Sequence, residues 1–262
     1  MPEINVKQIV KEWKKELKNK ITPNMKLTVI QIGDDSASNS YIKGKEKDCI
    51  ELGINFELYK YEKTINSALI YEHIKQAENP IILQLPVPEQ IDLNTVNKII
   101  PPEWDVDGFS PFSKFKPCTP GGVIHLLDKI KFEYEYHKAV VIGRSQIVGI
   151  PMARMLLDKN MTVTVCHSKT GAGNLISFCK EADLIISAVG QENFISSLLV
   201  NRIENQILID VGINRTNGKL CGDADPMIYK LPYLNYTPVP GGVGLLTRTQ
   251  LMENIIKAYT KI

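Results

Sequence analysis

The chain has 262 residues and a formal net charge of +2, with 44% hydrophobic and 23% charged residues. This composition is ordinary for a globular protein, and the length suffices for one large or two small domains with a buried core. A net charge so close to zero gives no electrostatic reason to expect nucleic acid or a membrane surface as a partner.

The cysteines, histidines and apolar segments exclude further classes. The five cysteines include no C-x-x-C pair, and the four histidines show no ligand spacing, so we expect neither a disulfide framework nor a bound metal. No segment approaches the ~18 consecutive apolar residues of a membrane span. The first 20 residues have apolar side chains at helical spacing and lack a signal peptide's apolar core. We expect a soluble, cytoplasmic protein.

The first half of the chain alternates strand-like and helical patterns. Apolar runs at 26–33, 55–61 and 80–87 are separated by segments of helical periodicity, which is typical of βαβ units. Prolines then become frequent and should fix the shapes of loops. They are Pro86, Pro88, Pro101, Pro102, Pro111, Pro117 and Pro120.

The second half repeats the alternation more cleanly. Apolar runs begin at 138, 162, 183 and 206, and helical patterns such as 151–160 and 174–182 lie between them. Continuous apolar strands with crossover helices predict a parallel sheet that is covered on both faces. The fold class is therefore α/β, with two domains.

The four-residue sequence PGGV occurs at 120–123 and again at 240–243. The flanking sequences differ, so we interpret the two copies as glycine hinges at the ends of the second domain. The predicted domains are 1–118 and 119–242. The amphipathic segment 243–262 is expected to return and complete the first domain.

The segment 138–157 reads as a strand, a glycine turn and a helix, the arrangement that receives a pyrophosphate at a helix N-terminus. Gly143 and Gly149 are present, but Ser145 occupies the usual second glycine position and the spacing is longer than in G-x-G-x-x-G. The context favours a dinucleotide site. The alternative is a tight turn that only closes the helix onto the sheet.

The next strand end bears on the choice of cofactor. NAD sites usually place an acid there for the ribose 2′-hydroxyl, whereas this strand ends in His167, Ser168, Lys169 and Thr170. Arg144 from the glycine turn could reach the same place. Cationic and hydroxyl groups suit a 2′-phosphate, so the pattern favours NADP over NAD.

Three lysines follow one another in the segment 40–54. At about 100° per residue, Lys45 lies about 40° from Tyr41 within the apolar arc, whereas Lys43 and Lys47 lie on the opposite, solvated side. Burial favours the neutral form of an ammonium, so a lysine on a buried face can act as a general acid or base. The alternative is that the aliphatic part of the Lys45 side chain covers apolar surface while its charged end stays in water.

Three further polar side chains occur where ligands collect in α/β folds. Gln84 ends an apolar strand, and Asp105 and Asp107 precede Gly108 in a turn. The spacing of the two acids suggests that one holds the loop while the other binds a ligand. Both could equally be simple turn-forming aspartates.

Together these segments resemble the bifunctional methylenetetrahydrofolate dehydrogenase/methenyltetrahydrofolate cyclohydrolase family. The resemblance covers nearly the whole chain and rests on motifs that occur in the family's order. They are GDDSASNSYIKGKEKDCIELGI, QLPVP, DVDGF, PCTPGGV, VVIGRSQIVGIPMA, VCHSKT, ISAVG, IDVGIN and TPVPGGVG.

The resemblance implies roles for individual residues. Tyr41 and Lys45 match the Y-x-x-x-K motif, whose lysine serves the cyclohydrolase step; Gln84 matches the glutamine that tunes it, and Asp107 the acid that binds the pterin. We expect these four to be catalytic. Further substrate contacts are implied for Ser38, Leu85, Pro240 and Gly241, and cofactor contacts for Gly143, Arg144, Ser145, His167, Ser168 and Ile213.

The resemblance also implies an activity and an architecture. The expected enzyme oxidises 5,10-methylenetetrahydrofolate with NADP⁺ and hydrolyses the methenyl product to 10-formyltetrahydrofolate. Its expected form is a homodimer, in which a catalytic α/β domain and a Rossmann NADP-binding domain flank a cleft. A dehydrogenase without the second activity and a non-catalytic nucleotide sensor are the alternatives. Trp104, Leu245 and Leu246 depart from the family pattern and are expected to border the folate cleft.

Overall fold

The computed structural model describes residues 3–201, 205–216 and 218–260. Within them the chain divides into two compact units. One, here called the catalytic unit, comprises Glu12–Cys118 and Arg248–Ile262; the other, the Rossmann unit, comprises the segment that ends at Lys11 together with Thr119–Thr247. The predicted domain limits stay a prediction. They differ from these two units in placing the segment before Glu12 and residues 243–247 in the first domain. The last two residues of that predicted helix lie outside the described ones.

The catalytic unit is built on a small parallel sheet. Strand β1 lies between β2 and β3, and both neighbours run parallel to it. Its elements are part of α1 (Val6–Lys18), β1 (Lys26–Ile32), α2 (Ser36–Leu52), β2 (Asn55–Tyr61), α3 (Ser67–Lys75), β3 (Ile81–Leu83), α4 (Leu93–Ile99) and most of α8 (Val243–Thr260). The central strand is almost wholly buried, as its continuous apolar run predicts.

The Rossmann unit contains a five-stranded parallel sheet in the order β10-β7-β6-β4-β5. Its elements are α5 (Cys118–Lys129), β4 (Lys138–Ile142), α6 (Gly149–Leu157), β5 (Thr162–Cys166), α7 (Ala172–Glu181), β6 (Leu184–Ser187), β7 (Gln206–Asp210), β8 (Asn214–Thr216), β9 (Lys219–Cys221), a 3₁₀ helix (Pro226–Lys230) and β10 (Leu234–Tyr236). The α/β fold class is confirmed. The strand order reverses at β4, the position where ligands bind in such sheets.

The first PGGV copy lies in the first turns of a helix, directly after the boundary between the two units. Pro120–Val123 lie inside α5, where the proline occupies the first turn and its missing N–H leaves no intrahelical bond unmade. A Cβ on Gly122 would lie 2.8 Å from the Leu246 backbone, so glycine permits a close approach of two helices. The interpretation of this copy as a hinge stays a prediction, and its second glycine also serves close packing.

Within the described residues, no helix is both long and apolar enough to cross a bilayer. Nor does that part of the chain gather three or more histidine, cysteine or acidic side chains around a point where a metal ion could bind.

Candidate active site

The three lysines of α2 divide as the helical wheel predicts. Lys45 is buried, with 3% of its surface exposed, whereas Lys43 and Lys47 are exposed. A buried ammonium needs polar partners to offset the loss of water. Lys45 therefore needs hydrogen-bond partners inside the protein, whereas Lys43 and Lys47 can bind water.

That environment is supplied by the residue after β3. The Lys45 Nζ donates to Gln84 Oε1 at 3.0 Å. The Gln84 amide is itself oriented, because its Nε2 donates to the Leu85 carbonyl at 2.8 Å. Ser38 Oγ donates to the same carbonyl at 3.0 Å. A chain of hydrogen bonds from Ser38 to Lys45 thus fixes which atom of Gln84 faces the amine.

Tyr41 lies one helical turn before Lys45. The Lys45 Nζ lies 5.3 Å from the centre of the Tyr41 ring, within the range of a cation–π contact. The aromatic face covers the charge on one side while Gln84 binds it on another. The structure thus places the predicted site residues Tyr41 and Gln84 against the Lys45 amine, and Ser38 is joined to Gln84 through the Leu85 carbonyl.

The two acids of the 105–107 turn have different surroundings. Asp105 is fully buried, and its carboxylate accepts the backbone N–H groups of Phe109 at 3.1 Å and Ser110 at 2.7 Å. Burial raises the pKa of Asp105 to about 6, against the lowering effect of these bonds. Asp105 therefore holds the loop. Asp107 is half-buried and can serve a ligand.

Cys118 connects the acid loop with the lysine. Burial raises the pKa of its thiol well above the ordinary value, the Asp107 carboxylate raises it further, and the Lys45 ammonium acts in the opposite direction. Both charged groups therefore lie close to the same sulfur. The Cys118 thiol is thus within electrostatic reach of both the Asp107 carboxylate and the Lys45 amine.

Asn254 of α8 supports this loop and was missed by the sequence analysis. Only 1% of it is exposed, and its Nδ2 donates to the carbonyls of Val106 at 2.8 Å and Lys116 at 2.9 Å. Gln250 in turn donates to Asn254 Oδ1 at 2.9 Å. A polar side chain inside the apolar arc of α8 was the available signal.

A second missed feature lies on the helix of Lys45. Asp48 is buried and pairs with Lys14 Nζ at 2.7 Å and with Arg248 Nε at 2.8 Å. Glycine at position 44 makes room, since a Cβ there would overlap the Arg248 guanidinium at 1.9 Å from Nη1. The ion pairs tie α2 to its neighbouring helices and so hold the lysine in place.

In the Rossmann unit the glycine turn follows β4 and is closely packed. Gly143 has φ of +118°, and a Cβ on it would lie 2.4 Å from the Ala188 carbonyl oxygen. A Cβ on Gly149 would lie 2.2 Å from the Gly143 carbonyl oxygen. Both positions require glycine, because any side chain would push the turn away from the sheet.

Ser145 lies in the turn that leads into α6 and binds the backbone at its start. Its Oγ accepts the N–H groups of Val148 at 3.2 Å and Gly149 at 3.3 Å at the start of α6. A hydroxyl that accepts two bonds keeps its own hydrogen for a further acceptor, such as a phosphate oxygen. Serine at this position is therefore compatible with the predicted cofactor contact.

The end of β5 lies beside the glycine turn. Strands β4 and β5 pair in parallel, and Gly143 N donates to the Cys166 carbonyl at 2.9 Å, so Arg144 and Ser168 extend from adjacent strand ends. Both are exposed. The His167 Nδ1 accepts the N–H of Lys169 at 3.1 Å, which leaves Nε2 as the donor of the neutral ring.

Three apolar side chains are exposed along the same edge of the sheet. Ile147, Val189 and Ile213 follow β4, β6 and β7 and are 43%, 36% and 60% exposed. Exposed apolar groups next to hydroxyls and cationic side chains match the mixed surface of a dinucleotide. The residues present therefore fit NAD(P).

Pro240 and Gly241, the remaining predicted substrate contacts, belong to the Rossmann unit. The Val239–Pro240 bond is cis, and Gly241 has φ of +99°. A Cβ on Gly241 would lie 3.4 Å from the Lys7 side chain. Their part in substrate binding stays a prediction.

Two of the three departures from the family pattern pack into the interior. Trp104 packs against a core cluster and lies 6.0 Å from the Tyr259 ring, centre to centre. Leu246 is fully buried. Leu245 is half-buried. An effect of these residues on folate binding stays a prediction.

Comparison with known proteins gives a consistent assignment. Residues 4–107 match the tetrahydrofolate dehydrogenase/cyclohydrolase catalytic domain, and residues 117–262 match the NAD(P)-binding domain of the same family. The bifunctional protein FolD of Bacillus subtilis is 41% identical over 266 residues, which cover 96% of this chain and 92% of that protein.

Solved structures agree with this assignment. The bifunctional enzyme FolD, methylenetetrahydrofolate dehydrogenase/cyclohydrolase, of Campylobacter jejuni superimposes with a TM-score of 0.91 at 37% identity, covering 99% of each chain. The Trypanosoma brucei methylenetetrahydrofolate dehydrogenase-cyclohydrolase, solved with NADP and an inhibitor, gives a TM-score of 0.91 at 26% identity, covering 98% of this chain and 97% of that one. The chain therefore belongs to the tetrahydrofolate dehydrogenase/cyclohydrolase family.

Proposed function

We propose that the protein oxidises 5,10-methylenetetrahydrofolate with NADP⁺ and hydrolyses the resulting 5,10-methenyl cation to 10-formyltetrahydrofolate. The observation that carries the proposal is the buried, hydrogen-bonded pair of Lys45 and Gln84, together with the glycine turn of a family NAD(P)-binding domain. One unit thus offers proton-transfer chemistry and the other a dinucleotide site.

In the oxidation, a bound NADP⁺ would supply the acceptor for the hydride of the methylene carbon. The protein's contribution to this step is positioning. The carboxylate of Asp107 can accept hydrogen bonds from the N–H groups of the pterin ring, and the Ser145 hydroxyl, which keeps its hydrogen, can donate to a pyrophosphate oxygen. The loop bonds of Asp105 hold the backbone beside Asp107 while the ring binds.

In the hydrolysis, Lys45 moves the proton. As a neutral amine it accepts a proton from the water that attacks the methenyl carbon. As an ammonium it then donates that proton to N5 while the bond between N5 and the carbon breaks. The hydroxyl proton of the intermediate passes to solvent and leaves the formyl group on N10. Gln84 Oε1 orients the amine throughout, since its other amide atom is bound to Leu85.

The cofactor proposed is NADP rather than NAD. In the part of the chain around the end of β5, the side chains beside the glycine turn are His167, Ser168, Lys169 and Arg144, and none of them is acidic. These groups complement a 2′-phosphate and would leave a ribose diol without its usual carboxylate partner. The NADP complex of the Trypanosoma brucei relative supports the same choice.

A paired assay tests cofactor and activity together. With methylenetetrahydrofolate as substrate, kcat/KM should be at least about tenfold higher for NADP⁺ than for NAD⁺, because charge-assisted hydrogen bonds are worth about 1.5–3 kcal/mol each. Arg144→Ala and Ser168→Ala should each lower the NADP⁺ value and leave the NAD⁺ value unchanged. Comparable rates with NAD⁺ would overturn the phosphate site, and no turnover with either cofactor would overturn the enzyme itself.

We propose further that the protein is a homodimer that pairs through β2. This strand is at the edge of the catalytic sheet and exposes Leu58 and Tyr59 at 41% and 37%. The unpaired N–H and C=O groups of an exposed edge strand are a template for pairing with another chain. Analytical ultracentrifugation should find a dimer and a shift to monomer for Leu58→Lys, with Lys43→Glu as an exposed control. A monomeric wild-type protein would contradict the proposal.

The proposed compartment is the cytoplasm. All five cysteines carry free thiols, which is usual for proteins of reducing compartments. Cell fractionation tests this placement, and recovery of the protein outside the cytoplasm would contradict it.

A further inference from the structure

Two aspartates of the Rossmann unit are buried and take no part in the proposed chemistry. Asp210 ends β7, Asp223 follows β9, and their exposed fractions are 1% and 0%. Burial of a carboxylate is costly unless several donors replace its water. The groups that donate to these carboxylates are therefore held firmly in place.

Asp223 binds four donors. Its Oδ2 accepts the Ser187 hydroxyl at 2.8 Å and the Val189 N–H at 2.9 Å. Its Oδ1 accepts the Gln191 N–H at 2.9 Å and the Asn214 side-chain amide at 3.2 Å. Each oxygen thus receives two hydrogen bonds, which uses the acceptor sites of an ionised carboxylate.

These donors lie at the carboxyl edge of the sheet, where the dinucleotide is expected. Ser187 is the last residue of β6, and Val189 and Gln191 belong to the loop that follows it. Asn214 comes directly after Ile213 and begins β8. One carboxylate therefore fixes the loops that follow two neighbouring strands of the sheet.

The first of these loops packs on the glycine turn. A Cβ on Gly143 would lie 2.4 Å from the Ala188 carbonyl oxygen, and Ala188 N donates to the Ile142 carbonyl at 2.9 Å. A displacement of the loop would therefore displace the turn. It would also move Val189, whose apolar side chain is exposed at the same edge.

Asp210 fixes the segment that carries Asp223. Its carboxylate accepts the backbone N–H groups of Asp223 at 3.0 Å and Ala224 at 2.9 Å. Glycines close around both acids: a Cβ on Gly222 would lie 2.0 Å from Asp210 Oδ2, and one on Gly212 would lie 2.1 Å from Asp223 Oδ1. Neither glycine position can therefore carry a side chain without displacing one of the two carboxylates.

We propose that Asp223 is a positioning residue for the dinucleotide, because it holds the loops after β6 and β7 in the arrangement that the cofactor contacts. The inference rests on the proposed NADP binding and adds a residue that acts without touching the ligand. Its effect should appear in cofactor affinity, whereas the hydrolysis assigned to Lys45 should be unaffected.

Asp223→Asn tests the proposal with a side chain of the same shape. Whichever way the amide is oriented, its NH₂ group faces the backbone N–H of Val189 or of Gln191, and two donors repel each other. We expect the Kd for NADP⁺, measured by isothermal titration calorimetry, to rise at least about tenfold. The KM for NADP⁺ should rise with it, and methenyltetrahydrofolate hydrolysis measured without cofactor should match the wild type.

Two further variants keep the test decisive. Ser187→Ala removes one neutral donor and should raise the Kd about threefold to tenfold, even if Asp223→Asn does not fold. Asp183→Asn is the control. The Asp183 carboxylate accepts the Lys138 N–H at 2.8 Å at the amino ends of the strands, away from the expected dinucleotide. The Kd of this variant for NADP⁺ should be unchanged.

Wild-type NADP⁺ affinity in both Asp223→Asn and Ser187→Ala would overturn the inference. So would a parallel loss of hydrolysis and oxidation, because that result indicates a general structural role. Failure of the wild-type protein to bind either dinucleotide would instead overturn the proposed function.

Discussion

Replacing Lys45 by methionine is expected to lower methenyltetrahydrofolate hydrolysis by about 10²- to 10⁴-fold, the usual contribution of a positioned acid or base. Methionine has a similar length and fits a buried position, but it cannot accept a proton from water. Oxidation of methylenetetrahydrofolate should continue, since hydride transfer uses other groups. Both rates can be measured on one preparation, with the methenyl intermediate followed by its absorbance.

Lys43→Met is the matched control for this prediction. Lys43 lies on the same helix but is exposed, so both activities should stay at the wild-type level. Thermal unfolding of both variants separates a loss of chemistry from a loss of fold, because Gln84 loses its partner only in Lys45→Met. Unchanged hydrolysis in Lys45→Met would remove the lysine from the mechanism.

Replacing Gly149 by alanine is expected to lower the NADP⁺-dependent oxidation and to leave the hydrolysis unchanged, the reverse of the Lys45 result. The added Cβ would lie 2.2 Å from the Gly143 carbonyl oxygen, so the glycine turn must move away from the start of α6. Overpacking of this kind costs about 1–3 kcal/mol, which corresponds to a fall of roughly 5- to 150-fold in kcat/KM for NADP⁺. Hydrolysis in the absence of cofactor should be unaffected.

Gly173→Ala provides the control for this substitution. Gly173 is an exposed residue of α7, and nothing lies within 4 Å of the position of its added Cβ. Alanine in an exposed helix stabilises by about 1 kcal/mol relative to glycine, so this variant should bind NADP⁺ normally and unfold at a slightly higher temperature. Normal NADP⁺ kinetics in Gly149→Ala would show that the turn does not contact the cofactor.

The sheets could be predicted from the sequence because their strands are nearly continuous apolar runs. The runs that begin at Lys138 and Thr162 became adjacent parallel strands, and the glycines between the first strand and α6 made the expected tight turn. Local periodicity was also enough to separate the buried Lys45 from the exposed Lys43 and Lys47, because a helical residue is buried when it lies on the face turned toward the core.

Long-range contacts could not be predicted in this way. Asn254 lies 148 residues along the chain from Val106, whose carbonyl it binds, and Ser187 lies 36 residues from Asp223. Neither contact leaves a local period or spacing in the sequence. Glycine was ambiguous for a related reason: at position 122 it serves close helix packing, and at position 241 it adopts positive φ.

The most direct test of two separable chemistries is a single turnover of Lys45→Met with methylenetetrahydrofolate and excess NADP⁺. NADPH and methenyltetrahydrofolate should form in equal amounts, and the methenyl species should persist, whereas the wild-type protein should convert it to 10-formyltetrahydrofolate. Formation of 10-formyltetrahydrofolate at the wild-type rate by the variant would contradict the assignment of the hydrolysis to Lys45.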